Sequence, residues 1–92
     1  MEQVRVHVVI EGRVQGVLFR HYTREMAIQL GVTGWVRNRR DGSVEAVFEG
    51  DKKSVDKAIA WCHRGPSSAR VTNVASTWEE FKGEFDDFSV AY

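Results

Sequence analysis

The segment that joins the first predicted strand to the first predicted helix is EGRVQGVLFRHY, residues 11–22. Before it, residues 4–10 alternate between apolar and mostly polar side chains, which is the period of a strand with one buried face. After it, apolar side chains recur at helical spacing, and Gly31 is placed to end that helix. These helical positions are Tyr22, Met26, Ala27 and Leu30. The segment therefore connects a strand to a helix N-terminus.

The middle of the chain predicts a hairpin followed by a second helix. Residues 34–38 and 44–48 have strand patterns, and the Asp41-Gly42 pair between them favours a two-residue turn of the primed type. Asp51 is a good N-cap for the helix, which Gly65 and the proline after it would end. The apolar stripe of this helix consists of Val55, Ala58, Ile59 and Cys62.

The last third of the chain predicts a fourth strand within residues 69–78 and a short final strand near residues 85–90. Val71 and Val74 are three residues apart, so we expect a bulge or irregularity in the fourth strand. The acidic segment at residues 79–87 is expected to be a solvated surface loop.

The order of elements is strand, helix, strand, hairpin, strand, helix, strand, which predicts an α+β fold of the ferredoxin-like, split βαβ type (βαββαβ). In this arrangement two helices cover one face of an antiparallel four-stranded sheet, here with a short extra C-terminal strand. The length is that of one small domain, residues 1–92. The fold alone does not give a function, because it hosts metal carriers, RNA binders and enzymes.

The charges of the chain balance, but they are unevenly distributed. Thirteen basic and thirteen acidic residues give no overall argument for a nucleic acid or membrane partner. Residues 1–40, however, contain seven arginines against three glutamates. If these arginines meet in space, they favour a small anion over a long polyanion.

The composition also argues against disulfides, metal sites and cofactors. The single cysteine, Cys62, excludes an internal disulfide and a multi-cysteine metal site, and it fits a reducing compartment. His7, His21 and His63 have no ligand spacing, so we expect neither a metal nor a cofactor. His21 adjoins the loop and is interpreted as a solvated residue at the start of the helix. With no signal-peptide pattern and no apolar run long enough to cross a bilayer, we expect a cytoplasmic protein that does not bind membranes.

Residues 12–20 are a candidate anion site. Main-chain N–H groups at a helix N-terminus are unpaired, and the helix dipole favours negative charge there. Gly12 and Gly16 allow successive N–H groups to converge into a nest, and Arg20 adds a guanidinium that can bind phosphoryl oxygens in pairs. The alternative is a tight β–α turn with a surface arginine, and these residues alone leave both interpretations open.

Asn38 is the second candidate. It lies near the end of the second predicted strand, and its carboxamide can both donate and accept hydrogen bonds, which suits the orientation of a water molecule. The alternative is an asparagine that caps the following turn.

Together, these segments resemble the acylphosphatase family. GRVQGVLFR, residues 12–20, is similar to the family's phosphate-binding signature, and GWVRNRRDGSVEAVFEG, residues 34–50, is similar to its second signature. GPSSARV, residues 65–71, is similar to a weaker family element. The resemblance covers almost the whole chain. It implies a ferredoxin-like enzyme that hydrolyses the mixed anhydride of small acyl phosphates to carboxylate and phosphate.

The resemblance also implies roles for particular residues. The phosphate-binding arginine falls on Arg20 and the water-positioning asparagine on Asn38, which makes these two the catalytic candidates. The loop whose amides bind the phosphate falls on Gln15, Gly16, Val17, Leu18, Phe19 and Arg20. Arg39 follows Asn38 where some relatives have a small hydroxyl residue, which could alter local charge.

No general base is implied, because the phosphate oxygens of the substrate can accept the proton, and neither a metal nor another cofactor is required. The alternative function is a non-catalytic phosphate- or acyl-phosphate-binding module of the same fold. An RNA-binding sheet is disfavoured by the zero net charge and the absence of clustered aromatic motifs. We expect a monomer, because no large exposed apolar stripe is evident.

Overall fold

The computed structural model describes residues 2–91 of the chain. Its strands and helices follow the predicted order along the chain. The strands are β1 Gln3–Arg13, β2 Thr33–Asn38, β3 Val44–Asp51, β4 Arg70–Glu79 and β5 Phe88–Val90. The helices are α1 Phe19–Leu30 and α2 Lys52–Arg64.

The strands form one sheet in the order β4-β1-β3-β2-β5. The four long strands pair antiparallel, and β5 pairs parallel to β2, with Gly34 opposite Phe88. The ferredoxin-like α+β prediction, with four antiparallel strands and a short last strand, is confirmed, and the parallel pairing of β5 makes the sheet mixed. Both helices contact the sheet and each other, so they cover the same face.

The core lies between this face and the helices. It is built from alternate residues of β1 and β3 and from one stripe of each helix. Its fully buried members include Val6, Val8, Ile10, Ala46, Phe48, Phe19, Ala27, Val55, Ala58 and Cys62. Burial of these apolar side chains is the main stabilising contribution to the fold.

The buried stripe of α1 differs from the predicted one. Tyr22 is 44% exposed, whereas Phe19, Thr23 and Ala27 are buried at intervals of four residues. The helix begins at Phe19, earlier than the apolar pattern indicated. Its buried face therefore runs through Phe19, Thr23 and Ala27 and not through Tyr22. Thr23 is tolerated in the core because its hydroxyl donates a hydrogen bond to the carbonyl oxygen of Phe19 at 2.7 Å.

The hairpin between β2 and β3 is closed by a hydrogen bond between Arg39 and Ser43 around a three-residue loop, residues 40–42, and not by the predicted two-residue primed turn. Arg39 N–H donates to Ser43 O at 2.8 Å, and Gly42 N–H donates to Arg39 O at 3.2 Å. A primed turn at Asp41-Gly42 needs positive φ at Asp41, but in the described chain Leu18 is the sole non-glycine residue with positive φ. Gly42 alone takes the left-handed conformation, with φ of 94°.

The irregularity expected in β4 is present. The pairing of β1 with β4 shifts between Glu11 and Gly12, which leaves Thr72 as the extra residue on β4. Gly12 faces this bulge with φ of 128°, and a Cβ there would collide with the carbonyl oxygen of Arg70. Gly12 is therefore part of the sheet, which corrects its predicted place in the anion nest.

Residues 80–87 form a mostly exposed loop, as predicted for the acidic segment, and part of the segment is also attached to the sheet. The Glu49 side chain is buried, and its Oε2 accepts the N–H groups of Lys82 and Gly83 at 2.8 and 3.3 Å. Arg5 Nη1 lies 3.3 Å from the same oxygen, and its guanidinium also pairs with two acids of the segment. Burial raises the pKa of Glu49, but these donors outweigh burial and hold it below its usual value.

Candidate active site

The loop between β1 and α1 adopts two left-handed residues just before the helix. Gly16 has φ of 74° and Leu18 has φ of 61°, whereas the helix begins at Phe19. A left-handed conformation costs a leucine about 1–2 kcal/mol, so the surrounding structure must maintain it. The first turn of α1 carries no acidic residue to compensate the positive end of the helix dipole. The local backbone therefore suits an anion.

A cavity of about 330 Å³ opens at this helix N-terminus. It brings the β1–α1 loop and the hairpin strand β2 together, since Arg20 and Asn38 both line it. The complete lining is Val14, Gly16, Leu18, Phe19, Arg20, His21, Arg24, Asn38 and Val90. Two residues that are 18 positions apart in sequence thus share one cavity, as the candidate site requires.

The six predicted loop residues divide into two groups. Gly16, Leu18, Phe19 and Arg20 line the cavity, whereas Gln15 and Val17 belong to the same loop but lie outside the lining. The side chain of Gln15 points to the hairpin, where its Nε2 donates to Arg39 O at 2.7 Å and to Ser43 O at 2.9 Å. The Val17 carbonyl accepts a hydrogen bond from Ser68 Oγ at 3.3 Å.

Gln15 thus attaches the loop to the chain that directly follows Asn38. The acceptors of its amide are themselves fixed, because Ser43 donates from both its N–H and its hydroxyl to Asp41 Oδ1, at 3.0 and 2.6 Å. These two hydrogen bonds from Ser43 lower the pKa of Asp41, the hydroxyl contributing most. The distance between the loop and Asn38 is therefore set by side chains as well as by the sheet.

Three residues of the lining were missed or underestimated from the sequence. Arg24 lies one helical turn after Arg20 and brings a second guanidinium to the cavity, which the i, i+4 spacing could have indicated. His21, interpreted as a solvated residue, also lines it. Val90 comes from β5, and its position depends on the parallel pairing with β2 that the sequence did not indicate.

Other reactive groups of the described chain lie outside this cavity. Cys62 is fully buried in the core, and burial raises the pKa of its thiol to about 12, so it is not a nucleophile at neutral pH. Among residues 2–91, no group of three or more His, Cys, Asp or Glu side chains is arranged to hold a metal ion. Neither α1 nor α2 is long and apolar enough to cross a bilayer.

Comparison with known proteins identifies the family. The sequence profile of the acylphosphatase family matches residues 6–90, and an acylphosphatase from Pelotomaculum thermopropionicum is 53% identical over the full length of both chains. The chain belongs to the acylphosphatase family. It is therefore an enzyme, and the alternatives of a non-catalytic binding module and an RNA-binding sheet are set aside.

Solved structures of acylphosphatases share the fold. The chain is similar to an acylphosphatase from Coxiella burnetii, with 37% identity and a TM-score of 0.92 over 97% of this chain and 93% of the other. It is similar to the Bacillus subtilis enzyme at 30% identity, with a TM-score of 0.93 over 97% and 99% of the two chains. The ferredoxin-like architecture is therefore that of the family.

Proposed function

We propose that this chain hydrolyses acyl phosphates to a carboxylate and inorganic phosphate in the cavity at the N-terminus of α1. The observation that carries the proposal is the shared lining of that cavity by Arg20, Asn38 and the left-handed loop backbone. These groups supply a cation, a neutral amide and main-chain donors, which are what an in-line phosphoryl transfer to water needs.

The phosphoryl group binds to the main-chain N–H groups of residues 15–20 and to the Arg20 guanidinium. Donors in fixed positions around a phosphoryl group stabilise the charge that spreads over its three equatorial oxygens in the transition state. The dipole of α1 acts in the same direction. Arg24, which lines the same cavity, adds positive potential that attracts the dianionic substrate.

Asn38 holds the attacking water on the opposite side of the phosphorus from the acyl oxygen. The water oxygen forms a bond to phosphorus while the bond from phosphorus to the acyl oxygen breaks, and its electron pair leaves with the carboxylate. The water proton passes to a phosphate oxygen, so an acyl phosphate dianion and water give a carboxylate and dihydrogen phosphate. Asn38 therefore contributes position and alignment, and no protein base takes part.

The proposal also covers cofactors, partners, location and oligomeric state. Arg20, the loop amides and the helix dipole balance the phosphate charge, so the proposed reaction proceeds without a metal or another cofactor. The proposed substrate is a small acyl phosphate, with no nucleic acid or membrane as partner. We place the enzyme in the cytoplasm as a monomer.

The test is phosphate release from benzoyl phosphate by the purified protein, with and without EDTA. Arg20→Ala should lower kcat/KM by at least about a hundredfold, since loss of one charge-assisted donor to the reacting group costs roughly 3 kcal/mol. Arg70→Ala, on exposed β4, is the matched control and should retain wild-type activity. Absence of release by the wild-type protein refutes the proposal, and loss of activity in EDTA refutes its metal-free form.

A further inference from the structure

A second cavity of about 490 Å³ lies beside the first, and we call it the side cavity. Leu18 lines both cavities, so a molecule bound at the phosphate loop reaches the side cavity across a single side chain. The apolar residues that line the side cavity are Leu18, Tyr22, Met26, Trp61 and Pro66. Leu18 and Tyr22 are 65% and 44% exposed, so apolar surface is open to a ligand there.

The walls of the side cavity are held by contacts to the phosphate loop. The ring of Trp61 packs edge-on against Phe19, with centroids 5.4 Å apart. Gly65, which precedes Pro66, packs so closely on Phe19 that a Cβ there would lie 2.7 Å from its ring. Because Phe19 begins α1, the position of the phosphate loop also fixes the position of the side cavity.

In the proposed in-line reaction the acyl group lies on the side of the phosphorus away from Asn38. Asn38, which holds the water, lines the first cavity and is not among the lining residues of the side cavity. The acyl oxygen must leave on the side of the phosphorus opposite the water. Leu18 lines both cavities, so an acyl group that extends from the phosphorus past Leu18 enters the side cavity.

We propose that the side cavity binds the acyl group of the substrate and selects aromatic or branched apolar acyl groups over small ones. This inference rests on the proposed function. The rings of Tyr22 and Trp61 and the side chain of Met26 offer apolar contact that an acetyl group is too short to use. Glu25 also lines the cavity, but its carboxylate is 3.5 Å from the Arg24 guanidinium, so the apolar side chains carry the selectivity.

The test measures a selectivity ratio, which is kcat/KM for benzoyl phosphate divided by kcat/KM for acetyl phosphate. Tyr22→Ala should lower the ratio about fivefold, the effect of withdrawing roughly 40 Å² of apolar contact from the benzoyl ring. Ser67→Trp, on the exposed rim, should lower it by a similar factor because the new ring fills the cavity. In both variants kcat/KM for acetyl phosphate should stay within about twofold of wild type.

Ile28→Ala is the matched control. Ile28 is 51% exposed on the same helix, lies about 120° around it from Tyr22, and lines neither cavity, so the ratio should stay at the wild-type value. A wild-type ratio in both Tyr22→Ala and Ser67→Trp overturns the acyl-group proposal while the proposed function stands. If the wild-type protein releases phosphate from neither substrate, the proposed function fails and this inference fails with it.

Discussion

The hydrogen bonds of Gln15 predict a variant that separates phosphate binding from turnover. Its amide donates to Arg39 O and Ser43 O at 2.7 and 2.9 Å and so connects the phosphate loop to the hairpin that carries Asn38. Gln15→Met keeps the length of the side chain and removes both donors. Each hydrogen bond of this kind contributes about 1 kcal/mol, and both are partly reachable by water, so we expect a loss of about 1–2 kcal/mol in unfolding free energy.

The catalytic effect of Gln15→Met should exceed what that loss of stability explains. A shift of Asn38 by about 1 Å relative to the phosphorus lowers kcat by one to two orders of magnitude. The loop amides and Arg20 remain, so the inhibition constant of inorganic phosphate should change less than about threefold. Urea unfolding and benzoyl phosphate kinetics measure both effects, with exposed Gln3→Met as the control. Wild-type kcat in a Gln15→Met protein of lowered stability would show that this connection does not position Asn38.

Two further variants test the packing around the site and the attachment of the acidic segment. Gly65→Ala should destabilise the protein by at least about 2 kcal/mol more than Gly31→Ala, for two reasons. Gly65 has φ of 67° and ψ of −174°, a conformation that only glycine adopts readily, whereas Gly31 is in the ordinary left-handed region with ψ of 25°. In addition, the Phe19 ring lies against Gly65, whereas a Cβ at Gly31 would meet open space. Equal urea midpoints would contradict this. Because the pKa of Glu49 is lowered in the folded state, its contribution to stability is present above the unfolded pKa and is lost as pH falls through the folded one. The difference in unfolding free energy between wild type and Glu49→Gln should therefore become smaller from pH 7 toward pH 3. A difference that does not change with pH would show that the pKa of Glu49 is not lowered in the folded protein.

The sequence predicted the order of elements because each carries a local signal. Alternation marks the strands, and Gly31 and Gly65 end the two helices as expected, with positive φ at both. The start of α1 at Phe19 does not follow from the local apolar pattern, which begins at Tyr22. Phe19 is buried by contacts that form only in the folded protein, among them the edge-on contact with Trp61 of α2. The two-residue turn is not formed because Arg39 N–H bonds to Ser43 O, which leaves residues 40–42 as the loop, with Gly42 alone left-handed.

The candidate site also combines residues that the sequence predicts with contacts that only the fold creates. Arg20, Asn38 and the glycine-bearing loop were predicted from local motifs and the family resemblance, and the fold brings them to one cavity. The hydrogen bonds of the Gln15 side chain join residues 24 and 28 positions apart, so no local pattern indicates them. Val90 reaches the cavity through a parallel strand pairing that depends on the path of residues 80–87.

The role of Asn38 is the central claim, and the turnover of Asn38→Ala tests it most directly. Asn73→Ala, an exposed asparagine on β4 that bonds to Glu11, is the matched control and should behave as wild type. With benzoyl phosphate as substrate, Asn38→Ala should lose at least about a hundredfold in kcat, because the water is no longer aligned. Inorganic phosphate should still bind within about threefold of wild type. Hydrolysis by Asn38→Ala at the wild-type rate would contradict the assignment.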